Sequence, residues 1–294
     1  MDTHDDTQLD RTKIDGNDVS ARIRAQVAAD AARFEQVHGR RPGLATLLVG
    51  DDPASAIYVR QKHRRSAEVG IASFEHTLPA DATQAMVEAK TRELAADDAV
   101  DGVLVQFPLP AGLDPEPVIL AVPVEKDVDG FHPCNLGAVA SGLQGVASCT
   151  PAGVLMLLDA YGVELAGAEA VVIGRSRTVG MPLALLLMNR NATVTVTHMM
   201  TRDLAKHTRQ ADVLVAAAGS PGLVTADMVK PGAVVIDIGT TRTPDGLRGD
   251  VDFEAVRAVA SLVSPVPGGV GPMTIAALLR STVDRAWARM GAAR

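Results

Sequence analysis

The sequence predicts an α/β protein with two domains around a cleft, and three observations support this fold class. Apolar runs of strand length alternate with stretches of helical periodicity in both halves of the chain. Hydrophobic residues make up 47% of the 294 residues and aromatic residues only 3%, so the core must be aliphatic, as in buried parallel sheets. A segment rich in Pro, Gly and Asp, 110–150, separates the two alternating regions.

The first half predicts a mainly parallel sheet, because its strands alternate with helices. The predicted elements are, in order, helix 17–38, strand 43–50, a helix from Pro53 to Gly70, strand 71–78, helix 83–96 and strand 102–106. Asp52 and Pro53 favour a helix start, and Phe107-Pro108 stops the last strand.

The second half repeats the alternation, with a Gly turn after its first strand. The predicted elements are helix 151–161, strand 170–173, helix 179–190, strands 192–197, 213–217 and 233–238, and a final helix 274–290. This second alternation of helices and strands favours a second α/β unit.

The bulk composition excludes several classes of function. A net charge of −7 argues against a nucleic-acid-binding face, and no apolar run is long enough to cross a bilayer. The two cysteines, Cys134 and Cys149, do not suggest a disulfide framework, and no ligand spacing indicates a metal. The acidic, polar start of the chain lacks the features of a secretory signal, so we expect a cytoplasmic protein.

A candidate cofactor turn follows strand 170–173. Gly174 and Gly180 frame a strand–turn–helix unit, whose free backbone N–H groups and positive helix end favour a phosphate. The pattern is not G-x-G-x-x-G, so an ordinary βα turn stays an alternative. Arg175 and Ser176 add a guanidinium and a hydroxyl, which suit a second phosphate such as the 2′-phosphate of NADP.

Tyr58, Lys62 and Gln106 form a second candidate group. Tyr58 and Lys62 are four residues apart and share one helix face. A desolvated lysine can act as an acid or base near neutral pH, although a solvated lysine is the commoner case. Gln106 ends a buried strand, where side chains of parallel sheets face the ligand crevice, and its amide could orient an ammonium.

Two loops supply further candidates. Within the charged stretch 125–131, the Asp129 carboxylate could accept hydrogen bonds from the amino-pyrimidine edge of a pterin, whereas the stretch could also be a solvated loop. The glycines of 265–274 allow a backbone to approach a ligand closely, although a tight turn before the last helix explains them as well.

Taken together and in this order, seven stretches resemble the bifunctional methylenetetrahydrofolate dehydrogenase/methenyltetrahydrofolate cyclohydrolase family. They are VGDDPASAIYVRQKHRRSAEVGI, GVLVQFPLP, EKDVDGFHPCNLG, CTPAGVLMLL, VVIGRSRTVGMPLALLL, GDVDF and PVPGGVGPMT. They extend from about residue 40 to the last helix, so the resemblance covers nearly the whole folded chain.

The resemblance implies oxidation of 5,10-methylenetetrahydrofolate with NADP, followed by hydrolysis to 10-formyltetrahydrofolate. It implies a catalytic folate-binding domain over 13–150 and 273–294 and an NADP-binding Rossmann-type domain over 151–272. The stretch before them, 1–12, is predicted from the sequence itself to be a flexible tail. The last helix would return to the first domain. Members of the family are usually homodimers that pair through the nucleotide domain.

The resemblance also implies roles for individual residues. The catalytic residues would be Lys62, with Gln106 adjusting its protonation, Tyr58, which would stack on the folate ring, and Asp129, which would anchor the pterin. The remaining candidates are ligand-binding residues: Gly174, Arg175, Ser176 and Thr240 for the cofactor, and Gly268, Gly269 and Pro272 for the substrate.

One position departs from the family pattern. Met199 stands where the family commonly has a Ser that helps to hold the 2′-phosphate, so the degree of NADP preference is open. Three other functions stay open as well: a non-catalytic NADP-binding sensor, a monofunctional dehydrogenase, and an NADP dehydrogenase of amino or hydroxy acids. Retention of Lys62, Gln106 and Asp129 together favours the bifunctional enzyme.

Overall fold

A computed structural model describes residues 12–291, which fold around two separate parallel sheets. The first sheet has the order β2-β1-β3 and the second the order β10-β7-β6-β4-β5. The strands are β1 (Gly43–Val49), β2 (Ala72–Leu78), β3 (Gly102–Val105), β4 (Glu169–Ile173), β5 (Thr193–Thr197), β6 (Val213–Ala216), β7 (Val234–Asp237), β8 (Thr241–Thr243), β9 (Gly246–Arg248) and β10 (Leu262–Val263).

Helices cover both sheets. They are α1 (Gly16–His38), α2 (Pro53–Glu68), α3 (Gln84–Ala96), α4 (Pro115–Ala121), α5 (Pro133–Ala140), α6 (Cys149–Ala160), α7 (Gly180–Asn189), α8 (Leu204–Thr208), α9 (Phe253–Arg257) and α10 (Val270–Arg289). Side-chain caps start several of them: Asp15 accepts from the backbone of Asn17 in α1, and Asp52 accepts from Ser55 in α2. The predicted α/β fold class is confirmed, and each predicted strand is present.

The final helix begins earlier than predicted. The prediction started it at residue 274 because Pro272 usually marks a helix start, but α10 already begins at Val270. A proline is tolerated within the first turn of a helix, since the N–H groups there have no intrahelical partner. The predicted domain boundaries consequently fall inside α6 and α10, and the division into domains stays a prediction.

The segment 110–150 is ordered by a buried carboxylate. Asp127 accepts hydrogen bonds from the backbone N–H groups of Gly130 and His132, each at 2.9 Å, and from Nδ2 of Asn135 at 2.8 Å. Lys126 is buried too, and its Nζ donates to the carbonyl oxygen of Asp97. The solvated-loop interpretation is therefore wrong for these two residues, because the backbone of the following turn needs the carboxylate as an acceptor.

The last helix returns to the first sheet. Trp287 of α10 packs edge-on against Phe34 of α1, with ring centroids 5.3 Å apart. Arg289 donates to the carboxylate of Asp101, which also accepts two hydrogen bonds from Arg40. The first sheet is thus covered by helices from both ends of the described chain.

The predicted tail, 1–12, lies outside the described residues except for Thr12. The carbonyl oxygen of Thr12 accepts a hydrogen bond from the N–H of Val263 at 2.8 Å, so this residue is tied to β10. Within residues 12–291, no helix has the length and apolar character that a membrane span requires.

Candidate active site

Lys62 and Gln106 meet at the carboxyl edge of the first sheet. Lys62 lies on α2, which follows β1, and Gln106 comes directly after β3. The Nζ atom of Lys62 lies 3.0 Å from Oε1 of Gln106. Nε2 of Gln106 donates to the carbonyl oxygen of Phe107 at 2.7 Å, which fixes the amide with its oxygen toward the lysine. The structure therefore brings together the two residues that the sequence analysis paired.

Tyr58 lies one helical turn before Lys62 and stays accessible. It is 47% exposed, which is high for a large ring on a helix that packs against a sheet. A ring that is open to solvent beside an oriented ammonium can stack on a flat ligand. The common face predicted from the four-residue spacing is consistent with this placement.

Asp129 lies close enough to Lys62 for the two side chains to interact electrostatically. Burial raises the pKa of the Asp129 carboxyl above its ordinary value, while the positive charge of Lys62 acts in the opposite direction. The side chains of Asp127 and Cys149 also act on this carboxyl. Three of the predicted residues, Lys62, Gln106 and Asp129, are thus joined by contact or by charge.

Sequence reasoning missed Cys149 as a member of this group. Its Sγ donates to the carbonyl oxygen of Val128 at 3.3 Å, and burial raises the pKa of the thiol well above its ordinary value. The thiol is consequently protonated at neutral pH and is no nucleophile. Its proximity to Asp129 comes from the start of α6, which no local pattern near residue 129 reveals.

An apolar pocket adjoins Asp129. Phe107 and Phe131 both line it, with ring centroids 6.0 Å apart. The lining consists of aliphatic, aromatic and carboxylate side chains: Val103, Val105, Phe107, Ile119, Val122, Asp127, Asp129 and Phe131. With a volume of about 20 Å³, the pocket has room for a water molecule but not for a ring system, so a flat ligand must bind on the open side of Asp129.

The turn after β4 needs glycine at two positions. Gly174 has φ of +116°, and a Cβ atom placed there would lie 2.2 Å from the carbonyl oxygen of Ala217. A Cβ atom on Gly180 would lie 2.1 Å from the carbonyl oxygen of Gly174. The close spacing of turn and helix that a phosphate-binding βα unit requires therefore depends on both glycines.

Arg175 and Ser176 differ in how much of their hydrogen-bonding capacity is left for a ligand. Arg175 is exposed on the turn. The Oγ atom of Ser176 accepts from the backbone N–H groups of Val179 and Gly180, at 3.1 and 3.3 Å, so only its hydroxyl hydrogen is left for a ligand. Met199, at the end of β5, is 97% exposed and offers a phosphate no hydrogen-bond donor.

An ion pair connects the cofactor turn to the first half of the chain. The guanidinium of Arg177 binds the carboxylate of Glu116 on α4, with Nη2 3.2 Å from Oε1. The turn that would hold a cofactor is thereby linked to the segment that leads to Asp129.

The remaining candidates lie at the ends of later elements. Thr240 follows β7 and is exposed, and its hydroxyl donates to the carbonyl oxygen of Ile238. Gly268 accepts from the N–H of Gly16 at 2.9 Å, and Gly269 packs on the same residue, so both contact the start of α1. Pro272 lies in the first turn of α10. The described contacts do not join these residues to Lys62.

No group of three His, Cys, Asp or Glu side chains within residues 12–291 is arranged to hold a metal ion.

Two family models match the chain. "Tetrahydrofolate dehydrogenase/cyclohydrolase, catalytic domain" matches residues 14–129, and "Tetrahydrofolate dehydrogenase/cyclohydrolase, NAD(P)-binding domain" matches residues 148–290. The chain is 57% identical over 280 residues to "Bifunctional protein FolD 2" of Frankia alni, which covers 95% of this chain and 97% of that protein. It is 52% identical over 281 residues to "Bifunctional protein FolD" of Acidithiobacillus ferrooxidans, with 95% and 98% coverage.

Solved structures are similar over the same length. The bifunctional enzyme FolD, a methylenetetrahydrofolate dehydrogenase/cyclohydrolase from Campylobacter jejuni, has a TM-score of 0.93 and 45% identity, and the match covers 95% of this chain and 99% of that one. The Trypanosoma brucei enzyme, complexed with NADP cofactor and inhibitor, has a TM-score of 0.90 and 39% identity, with 95% and 98% coverage.

Proposed function

The chain belongs to the tetrahydrofolate dehydrogenase/cyclohydrolase family, and we infer from this that it is a bifunctional enzyme of one-carbon metabolism. It oxidises 5,10-methylenetetrahydrofolate with NADP to the 5,10-methenyl compound, which it hydrolyses to 10-formyltetrahydrofolate. The observation that carries this conclusion is the identity of 57% to a bifunctional relative along 95% of the chain.

The turn at Gly174 fits NADP, except that Met199 offers the 2′-phosphate no hydrogen bond. The glycine turn leaves its backbone N–H groups open next to a helix start, and the exposed Arg175 supplies the charge that a 2′-phosphate needs. NADP, when bound, supplies the acceptor for the hydride that leaves the methylene carbon. We propose that Gly174, Arg175, Ser176 and Thr240 hold it.

For the folate, we propose a site between Tyr58 and Asp129. The exposed ring of Tyr58 would stack on the folate ring, and the carboxyl of Asp129 would bind the amino-pyrimidine edge. In the oxidation, N5 and N10 of the substrate stabilise the developing cation themselves. The contribution of the protein is therefore mainly to orient the methylene carbon toward the cofactor.

For the hydrolysis, we propose Lys62 as the acid–base group. Water adds to the methenyl carbon and releases one proton to solvent. The remaining hydroxyl proton then leaves as the formyl C=O forms, the bond from this carbon to N5 breaks, and N5 takes up a proton. Lys62 Nζ would carry this proton, held in place by the oxygen of Gln106 at 3.0 Å. Gly268, Gly269 and Pro272 would line the substrate cleft.

Purified protein would be mixed with methylenetetrahydrofolate and either NADP or NAD to test both activities. The absorbance of the reduced cofactor reports the oxidation, and the decay of methenyltetrahydrofolate reports the hydrolysis. NADP-dependent reduction with methenyl decay above the uncatalysed rate is expected. Reduction without accelerated decay would leave a monofunctional dehydrogenase, and no reduction with either cofactor would favour the sensor.

We also propose a homodimer that forms through the second sheet. β5 is an edge strand of that sheet, and Met181 and Met188 are exposed on the neighbouring helix α7. An unpaired edge beside exposed apolar side chains favours association with a second copy. Light scattering should give twice the mass of one chain, and Met188→Glu should lower this mass toward that of one chain.

The cytoplasm is the location that we propose, and cell fractionation tests it.

A further inference from the structure

A buried carboxylate binds the backbone of an exposed loop that follows a strand of the second sheet. Asp250 is fully buried, whereas Ala218, Gly219 and Ser220, which follow β6, are exposed. Oδ2 of Asp250 accepts from the N–H groups of Ala218 at 2.6 Å and Gly219 at 2.9 Å, and Oδ1 accepts from Ser220 at 2.7 Å. Three consecutive backbone donors thus share one carboxylate.

This loop lies beside the cofactor turn. The chain proceeds from β4 to β5 on one side and then to β6 on the other side, so the strand order reverses at β4. Ligands of open parallel sheets bind outside the carboxyl ends of the strands at such a reversal. The loop after β6 begins at Ala217, whose carbonyl oxygen would be 2.2 Å from a Cβ atom on Gly174. The loop therefore forms the wall of the crevice opposite the turn.

Asp250 is itself held by a second buried carboxylate. Oδ1 of Asp237 accepts from the N–H groups of Gly239 at 2.9 Å and Asp250 at 3.0 Å, and Oδ2 accepts from Val251 at 2.9 Å. A Cβ atom on Gly239 would lie 2.3 Å from Oδ1 of Asp250, so the loop after β7 packs directly on this carboxylate. Two neighbouring loops at the carboxyl edge thus depend on one pair of aspartates.

We propose that Asp250 is a positioning residue for the cofactor step, which fixes the loop 218–220 as the second wall of the NADP site. The proposal rests on the proposed function, since it needs NADP in the crevice at Gly174. Ordering a free loop when a ligand binds costs conformational entropy. A loop that is already ordered before binding spares the ligand this cost, which strengthens binding without any contact from Asp250 itself.

The test is Asp250→Asn in the full-length protein. The amide would place a donor opposite at least one backbone N–H, so the loop can no longer keep all three hydrogen bonds. Titration calorimetry with NADP should show binding weakened by roughly tenfold, as expected for lost hydrogen bonds to a charged group. The KM for NADP should rise to a similar degree, whereas kcat at saturating NADP should change little.

The hydrolysis is the internal control. It is measured on methenyltetrahydrofolate without NADP and should proceed at the wild-type rate, which shows that the variant is folded. Asp252→Asn is the matched control, because Asp252 only caps α9 two residues later. Gly219→Ala is a second variant: φ of Gly219 is +68°, so a side chain strains the loop without touching the buried pair, and NADP binding should weaken again.

Two outcomes would overturn the proposal: unchanged NADP binding by Asp250→Asn, or an equal loss of hydrolysis and NADP binding. The proposed function is tested separately by the wild-type protein. If that protein binds NADP but does not oxidise methylenetetrahydrofolate, the function falls, while the calorimetric comparison still decides the role of Asp250.

Discussion

The ammonium of Lys62 and the amide oxygen of Gln106 lie 3.0 Å apart, on a helix and a loop that follow two neighbouring strands. Because the amide nitrogen of Gln106 is bound to the carbonyl oxygen of Phe107, the oxygen cannot turn away without losing that bond. The amide oxygen therefore stays in place as the acceptor for the ammonium of Lys62.

Lys62→Met should abolish the hydrolysis and leave the fold intact. General acid–base catalysis contributes about 10²- to 10⁴-fold, and Met retains the length of the side chain without its proton. The decay of methenyltetrahydrofolate would be followed by absorbance, with circular dichroism as the check on folding. Lys90→Met is a matched control, because Lys90 forms a surface pair with Glu93 on α3. Hydrolysis at the wild-type rate in Lys62→Met would remove its assigned role.

Gln106→Ala should lower the hydrolysis rate less than loss of the lysine does. Removing the acceptor leaves the proton-transferring group in place but unoriented, and a hydrogen bond to a charged group is worth about tenfold or more. The rate of Lys62→Met/Gln106→Ala should equal that of Lys62→Met alone, because the two residues act as one unit. Independent, multiplicative effects would show that Gln106 acts in some other way.

Met199→Ser should increase the preference for NADP over NAD. A hydroxyl at the end of β5 can donate to a 2′-phosphate, which the exposed methionine cannot do. The ratio of kcat/KM for the two cofactors should shift toward NADP by about threefold to tenfold, the value of one additional hydrogen bond. Met200→Ser, one residue farther along the same turn, should leave the ratio unchanged. An unchanged ratio in Met199→Ser would indicate that the 2′-phosphate lies elsewhere.

Asp101→Ala should destabilise the protein strongly. The Asp101 carboxylate is fully buried and accepts from Arg40, Arg289 and the N–H of Gly43. Removing one partner of a buried charge network costs about 3–5 kcal/mol. The free energy of unfolding would be measured in urea.

The exposed pair Arg209–Asp227 provides the comparison. Asp227→Ala should cost less than about 1 kcal/mol, as surface ion pairs usually do. Equal losses in the two variants would mean that the buried network does not stabilise the return of α10.

The stability of the protein should depend on pH through Asp237. Burial raises the pKa of this carboxyl from 3.8 to about 6. Between about pH 4 and pH 6 the native state thus binds a proton that the unfolded chain has released, and its free energy of unfolding falls as the pH rises. The stability difference between wild type and Asp237→Asn should decline by about 1 kcal/mol from pH 5 to pH 7. A difference that stays constant would mean that the carboxyl titrates normally.

The longer elements could be predicted from local pattern alone. Apolar runs located β1 and β3, helical periodicity located α1, and the proline at 53 located the start of α2. The short hairpin of β8 and β9 was not predicted, because its three-residue strands are mostly exposed and carry no apolar alternation. The hairpin is fixed at its two ends, because Asp237 accepts hydrogen bonds from Gly239 before it and from Asp250 after it.

The candidate site was predictable where a residue's role depends on its own element. The spacing of Tyr58 and Lys62 and the position of Gln106 at a strand end are properties of one helix and one strand. The hydrogen bonds of Asp250 to Ala218 and its neighbours join positions about thirty residues apart and involve backbone N–H groups, which all residues except proline possess. No residue pattern marks such a contact, so only the folded structure reveals it.

The position of α10 also has a consequence for synthesis on the ribosome. Translation delivers β1, β2 and β3 first, but Phe34 of α1 and Leu44 of β1 belong to a core whose other members include Leu279 and Trp287. The nascent chain must therefore carry an incompletely covered apolar layer on the first sheet until residues 270–289 have emerged. By then all strands of the second sheet have been synthesised. The half of the enzyme that is made first therefore cannot complete its core until this helix has been synthesised.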